Sequence, residues 1–446
     1  MTTRRRLLTG TATLAGVSMV APLMLSPVNA HATFGDYKAL VCVFLFGGND
    51  GWNMLVPRSE AEHTVYANSR QNMAIDRDDL IPITPNTTDG SEYGLHPSLI
   101  GIQGLFDAGA AAFTANVGPL IEPTTLEQYQ NKSVQRPPQL FSHNDQQSQW
   151  HTLKGAAPSA TGWAGRLADL LAAQTTTQMI PSTSSLFGST TFLVGASTQP
   201  YVMGPGGPLA FSGFADTGIG LEQRLAFERI VAARQANIYG RGYAAIQQRA
   251  LDNADLINTT LANAPVLSTT FANDVLSQQL QTVARLIAVR DDLQMERQVF
   301  FVALGGFDTH DDQVMLQPGL LANIDAAMTS FYDATVELNV ADRVTTFTQS
   351  DFGRTLTSNG DGTDHAWGSV ALTVGGGVAG RDIYGAYPLL DIGGNYDVGG
   401  GRLIPTTSAD QYAATLAQWM DPTLADLETV APNIGNFAQQ NLGFMI

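Results

Sequence analysis

The stretch "VFFVALGGFDTHDDQ", residues 299–313, decides how this chain is read. Six apolar residues, 299–304, pass through Gly305 and Gly306 into a crowd of ionisable side chains: Asp308, His310, Asp311 and Asp312. An unbroken apolar run of that length suits a strand buried on both faces. The same reading applies to "KALVCVFLF" (38–46), "AAAFTANV" (110–117), "TTFLVG" (190–195), "RVTTFTQ" (343–349) and "SVALTVGGG" (369–377). Helical patterns lie between them, at 98–107, 162–174, 271–290, 320–338 and 409–420, with a long one at 221–264 that breaks near Gly240–Gly242. Strands alternating with helices predict an α/β fold, a mostly parallel sheet covered on both faces. The Thr-, Ser-, Gly- and Pro-rich segment 176–218 reads as an insertion over the sheet edge or the site.

The 446 residues, 44% of them hydrophobic, can bury a large core. The single cysteine, Cys42, lies inside an apolar run and reads as a core residue; one cysteine makes no internal disulfide and no cysteine-rich zinc site. The N-terminus joins "TRRRLL" to an apolar stretch, 12–25, and then to "SPVNAHA". A basic start, an apolar middle and small residues at an A-x-A site make an export leader, cut after Ala32 or alternatively Ala30. Thr3 to Leu8 also resembles the twin-arginine signal, whose translocase would be the partner during export to the periplasm or beyond. No later segment has the roughly 18 unbroken apolar residues of a spanning helix, so no stable membrane anchor is expected. The mature part, 33–446, reads as one domain.

The formal net charge is −17. Removing residues 1–32 takes away three arginines and no acids, and the 20 basic and 40 acidic residues that remain leave −20. That acidity argues against nucleic-acid binding. An anionic substrate would need a local cation to offset the field.

Three of the predicted strands run into an aspartate: "VCVFLFGGND" ends in Asp50, "VFFVALGGFDTH" in Asp308 and His310, and "VTTFTQSDFGRT" in Asp351 and Arg354. Open α/β sheets bind ligands outside the carboxyl ends of their strands, so parallel strands would bring these acids to one rim. Carboxylates held close resist joint ionisation, and a divalent cation removes the conflict. "GDGTDHAWGS" adds Asp364 and His365, and "FSHNDQQSQWHT" adds Ser142, His143, Asp145 and His151. Eight residues apart on one helix, His143 and His151 would lie on roughly the same face. Mixed Asp/His ligation suits Zn²⁺ first, with Mn²⁺, Mg²⁺ or Ca²⁺ as the oxygen-favouring alternatives. Plain structural roles stand beside these. Asp351 could cap a helix beginning at Phe352, Arg354 could form an internal ion pair, and His96, before Pro97, reads as structural.

The set "FLFGGNDGWNMLVP", "GLHPSL", "SHNDQQSQWHT", "GGFDTHDDQ", "SDFGRT" and "NGDGTDHAWG" resembles a large, mostly uncharacterised bacterial family of twin-arginine-exported proteins grouped with the alkaline phosphatase and sulfatase superfamily. The resemblance implies a three-layer α/β/α sandwich, alkaline-phosphatase-like, with one or two metals at the strand ends and hydrolysis of phosphate or sulfate esters. It implies that Asp50 and Asp351 serve one metal, that Asp308, His310 and His365 serve the other, and that Ser142 is the nucleophile at a helix start. The chain departs from the superfamily in three places. Asp308-x-His310 replaces a longer Asp-x-x-x-His spacing, Asp351-Phe352 stands where Asp-His is usual, and no C-x-P-S-R motif exists. On this reading Arg354 would hold substrate oxygens, Asn49 or Asn53 would donate to developing charge, and the substrate would be a small anionic ester. The rival reading is a secreted binding or scaffold protein that keeps the fold without turnover. A Ser142–His143–Asp145 hydrolase is disfavoured, since neighbouring side chains at one helix start point different ways and there is no G-x-S-x-G.

Overall fold

In the computed structural model, the apolar run after Asp36 is the strand β1 (Lys38–Leu45), with every residue past Lys38 buried. Alternate side chains leave a strand on opposite faces, and here they reach two different cores. Val41, Val43 and Leu45 join one cluster; Leu40, Cys42 and Phe44 join the other. This is the physical origin of a three-layer arrangement. The structure describes residues 36–155, 158–175, 178–208, 213–215, 217–233 and 237–446. The leader read at 1–32 lies outside them.

Along the chain β1 is followed by β2 (Leu55–Pro57), α1 (Glu60–Arg70), β3 (Ile81–Ile83), β4 (Tyr93–Leu95), α2 (Ile100–Asp107), β5 (Ala111–Gly118), α3 (Leu126–Asn131), α4 (His143–Thr152) and α5 (Trp163–Ala172). Then come β6 (Thr183–Ser185), β7 (Tyr201–Val202), α6 (Gly218–Ala232), α7 (Ile238–Ala262), α8 (Val275–Ala288), β8 (Arg297–Leu304) and α9 (Gln313–Glu337). The last part holds β9 (Val344–Ser350), β10 (Arg354–Ser358), β11 (Thr363–His365), β12 (Ser369–Val374), β13 (Asp382–Tyr384), β14 (Thr407–Ser408), α10 (Ala409–Met420) and α11 (Leu427–Val430).

Among the described residues the main sheet has nine strands in the order β13-β5-β12-β9-β1-β8-β6-β7, with β14 beside β5. Only β12 runs against the rest; it is antiparallel to both β5 and β9, while β8, β1 and β9 are mutually parallel. The three strands that end near an aspartate are therefore adjacent and point the same way, with β1 in the middle. On one face α2, α8 and α9 pack Ile102, Phe106, Leu280, Val283, Ile287, Ile324 and Phe331 against the sheet. On the other, α5, α10 and α11 bring Trp163, Leu167, Tyr412, Leu416 and Val430. Cys42 sits in this second core with its Sγ toward Gln349 Oε1. A short antiparallel sheet, β2-β4-β3, and the hairpin β10–β11 stand apart. No helix of the described residues is long and apolar enough to cross a membrane.

Three elements differ from the expectations. "TTFLVG" is not a strand: Thr191–Leu193 forms a 3-10 turn, started by the Thr190 hydroxyl accepting from Phe192 N. Its apolar run marks a buried turn, because burial and extension are separate demands. The expected long helix is two helices, α6 ending at Ala232 and α7 beginning at Ile238 and running on through Gly240 and Gly242, and Asn237 caps α7 through Gly240 N at 2.6 Å. α9 starts at Gln313, seven residues before the expected Leu320, and carries Pro318 inside it. Within 176–218, β6 and β7 extend the main sheet beyond β8.

Candidate functional site

The loops after β1, β8 and β9 meet at one rim, and the β10–β11 hairpin closes over them. Gly47 makes the meeting close. It has φ +116°, and a Cβ there would stand 2.3 Å from the Asp308 backbone nitrogen. Only glycine meets both demands.

Asp308 is the centre of this rim. Its Oδ1 lies 3.1 Å from His310 Nε2 and 3.2 Å from His365 Nε2, and its Oδ2 lies 3.5 Å from His143 Nε2. His310 Nε2 and His365 Nε2 are 2.8 Å apart. Potential ligand atoms of His143, Asp308 and His365 all lie within 4.8 Å of one another. Burial opposes ionisation of Asp308, but hydrogen bonding from and the charge of Arg354 outweigh it, so its pKa falls below the usual carboxylate value.

Each imidazole is turned by its other nitrogen. His143 Nδ1 donates to Asp351 Oδ2 at 2.6 Å, His310 Nδ1 to Asp364 Oδ1 at 3.2 Å, and His365 Nδ1 to the Phe141 carbonyl at 2.8 Å. A carbonyl or a carboxylate can only accept, so each Nδ1 carries a proton, and a neutral ring of that tautomer presents an Nε2 lone pair toward Asp308. Burial lowers the His365 pKa, which favours that neutral form. Lone pairs this close to one another and to a carboxylate repel unless a cation sits among them. Histidines held at one nitrogen by an acceptor, with the other nitrogen converging on a carboxylate, are the donor set and the outer support of a metal site. The residues present therefore fit a divalent cation.

Phe141 is strained to serve this arrangement. It has φ +73°, unusual for a bulky side chain, at a cost of about 1–3 kcal/mol. Gln146, fully buried, accepts from its amide at 2.5 Å. Phe352 packs on His365, with ring centroids 4.4 Å apart, and on His143 at 4.8 Å. It covers both imidazoles with hydrocarbon.

The other expected residues are placed differently. Asp351 is fully buried behind His143, its Oδ2 also accepting from Gln147 Nε2 at 2.9 Å and Gly47 N at 3.2 Å. No helix follows it, so it is not a cap; β10 begins at Arg354. Asp50 pairs instead with Arg70, itself fully buried, and its Oδ2 accepts from Gln313 Nε2 at 2.6 Å. Arg354, expected to hold substrate oxygens, is also fully buried. It donates to the carbonyls of Gly47, Gly48, Phe307 and Thr363 and to Asp308 Oδ1 at 2.5 Å, tying the rim loops together. Asn49 is turned inward, lining a closed space of about 10 Å³ with Trp150 and Phe352; Asn53 donates to Met73 O and accepts from Tyr66. Ser142 holds the N-cap position of α4 without a side-chain capping bond; its hydroxyl donates to Asp145 Oδ2 at 2.6 Å. Ser142 and His143 thus engage different carboxylates, and no Ser-His-Asp relay forms.

His143 and His151 do not share a face. Eight steps at about 100° leave the two roughly 80° apart. His151 falls into the core among Phe44, Phe192 and Phe301, where burial pushes its pKa down to about 4. His96 is also buried, accepts from Ser98 N, and is lowered to about 4 by burial. Sequence reasoning missed Arg70, which is one basic residue at the end of an ordinary helix, and Arg402, which follows a glycine run with no motif around it.

Solved structures to which the chain is similar include Ps i-CgsB, at 10% identity over 88% of this chain and 74% of that one with a TM-score of 0.35. The PsFucS1 sulfatase from Pseudoalteromonas sp. matches at 9% identity over 80% and 65%, with a TM-score of 0.31. A 2-O GAG sulfatase matches at 10% identity over 77% and 65%, with a TM-score of 0.26. Likeness this distant carries no chemistry. No curated protein matches the sequence. The family described as "Protein of unknown function (DUF1501)" matches residues 37–398, and the chain belongs to that family.

Proposed function

We propose that the protein is an exported, metal-dependent hydrolase of phosphate or sulfate esters. The observation that carries the reading is the convergence of three Nδ1-anchored imidazoles, His143, His310 and His365, on the Asp308 carboxylate. These four residues would hold one divalent cation, zinc by their nitrogen-rich set, with manganese, magnesium or calcium as alternatives. When bound, the cation supplies Lewis-acid polarisation and charge neutralisation. Asp50 and Asp351 were expected to ligate too; here they act by fixing the rim, Asp351 through His143.

The chain's own groups set the rest. Asp145 is placed to take the Ser142 proton, which makes Ser142 the candidate nucleophile. Phe352 keeps water off the backs of His143 and His365, and the Phe141 carbonyl holds His365 in place. Residues 1–32 are a twin-arginine leader, and the mature protein works in the periplasm or outside the cell.

Purified residues 33–446, reconstituted with zinc or manganese, should retain near-stoichiometric metal and hydrolyse an aryl phosphate, a phosphodiester or an aryl sulfate. Metal and turnover that survive a D308A/H365A double substitution would falsify the assignment. A second reading, a metal-holding binding protein without turnover, is favoured by one observation: Arg354 and Asn49 both face inward. Stoichiometric metal without hydrolysis of any ester in the panel selects it.

A further inference from the structure

The imidazole cluster opens onto a pocket of about 440 Å³ whose outer wall includes Tyr129, Phe141 and Arg402 and whose inner wall includes His310, Asp364 and His365. We propose that this pocket is a subsite for a hydroxylated, negatively charged ring, such as an acidic sugar, with Arg402 as the residue that recognises its charge. The assignment of this ring as part of the ester substrate rests on the hydrolase reading; the binding itself does not.

Arg402 differs from the two arginines beneath it. Arg70 and Arg354 are fully buried, and each faces an aspartate. Arg402 is half-buried, lines the pocket, and has no carboxylate partner among the described residues. Its position is nevertheless fixed. Nε donates to the His365 carbonyl and Nη1 to the Gly399 carbonyl, both at 3.0 Å, and the guanidinium lies over the Phe141 ring at 5.4 Å. Asp397 stiffens the loop behind it by accepting from the amides of Gly393, Gly399 and Gly401. Nη2 has no hydrogen-bond partner among the described residues. In a chain of net charge −17, a preorganised and unneutralised guanidinium in a cleft is the feature that draws an anion.

The rest of the lining specifies a ring with hydroxyls. Tyr129 and Phe141 are half-buried aromatic surfaces, and both belong to the small apolar cluster around Trp367. Asp364, whose side chain is 49% exposed, uses Oδ1 on His310 and leaves Oδ2 free to accept from a hydroxyl. An aromatic face, one acceptor and one cationic donor match a polyhydroxylated ring bearing an acid better than a bare inorganic anion. The volume suits one or two such rings, by the usual range of about 300–1,000 Å³ for small-molecule sites.

Equilibrium binding tests this without turnover. The metal-loaded mature chain is titrated with glucuronate, glucose, benzoate and inorganic sulfate. Glucuronate should bind at least about tenfold tighter than each of the other three, since it alone combines hydroxyls, ring and charge. R402Q should bring glucuronate to about the level of glucose while metal content stays at the wild-type value. R402K should recover part of the loss, and Y129A should weaken glucuronate with metal content unchanged. Unchanged glucuronate affinity in R402Q, or wild-type binding of sulfate or benzoate as tight as glucuronate, overturns the proposal. Failure to hydrolyse any ester, with these affinities intact, removes only the hydrolase reading.

Discussion

Asp50 and Asp308 follow the ends of neighbouring parallel strands, one in the loop after β1 and the other in the loop after β8, yet the fold treats them in opposite ways. Asp308 stays 46% exposed in its side chain, stands among three imidazoles and shares only one oxygen with Arg354. Asp50 is buried, and its charge is met from inside the protein by Arg70 and by Gln313 of α9, while Gln317 of the same helix donates to its backbone carbonyl. One carboxylate is kept available to a ligand; the other is spent on holding the β1 loop to α1 and α9. A strand end in an open α/β sheet supplies a place for an acid, and the elements packed above it decide whether that acid binds a ligand or anchors a loop.

The comparison breaks most sharply at Arg70. R70A would leave Asp50 buried without its counter-charge, and removing one partner of such a pair costs about 3–5 kcal/mol. Denaturant unfolding of the metal-free chain should show that loss. If R70A instead abolishes metal binding in a protein of unchanged stability, Asp50 belongs to the metal cluster after all.

Acid provides the next largest effect, through the core histidine of α4. The folded pKa of His151, about 4, lies below the 6.5 of the free side chain, so the unfolded chain takes up the proton first. Its contribution is complete above pH 6.5 and drains away as the pH falls toward 4. It amounts to roughly 3 kcal/mol by the linkage of pKa to stability. H151F should flatten the pH dependence of stability in that window; an unaltered profile would show that His151 is not held neutral.

D308A probes the other carboxylate. It should lower metal affinity by at least about 100-fold, a larger loss than the roughly 10- to 100-fold typical of outer-shell changes, and it should also cost stability, because the buried Arg354 loses its carboxylate partner. Competition with a chelator reads it directly. D308A that unfolds the protein yet leaves D50A metal-competent would reverse the roles assigned to the two acids.

D364N is the mildest. The amide can still accept from His310 Nδ1 but loses the charge, and metal affinity should fall by about tenfold. A loss as large as that of D308A would make Asp364 a ligand rather than a support.

The sequence alone settled whatever depends on neighbouring residues. Continuous apolar runs marked β1, β5, β8, β9 and β12, and their glycine-aspartate endings located the rim where Asp308, His310 and His365 meet. Those features are local, since burial on both faces and a turn at a strand end leave their mark within ten residues. The same locality misled at "TTFLVG", where the buried Phe192 and Leu193 sit in a 3-10 turn, and at His151, where eight residues carry the helix from the rim face to a core face. The tertiary structure alone decided how charges pair. Asp50 meets Arg70 across 20 residues, His143 meets Asp351 across 208, and Arg402 reaches the His365 carbonyl across 37. Which cation neutralises which acid, and which stays open to solvent, depends on distances that no spacing along the chain encodes.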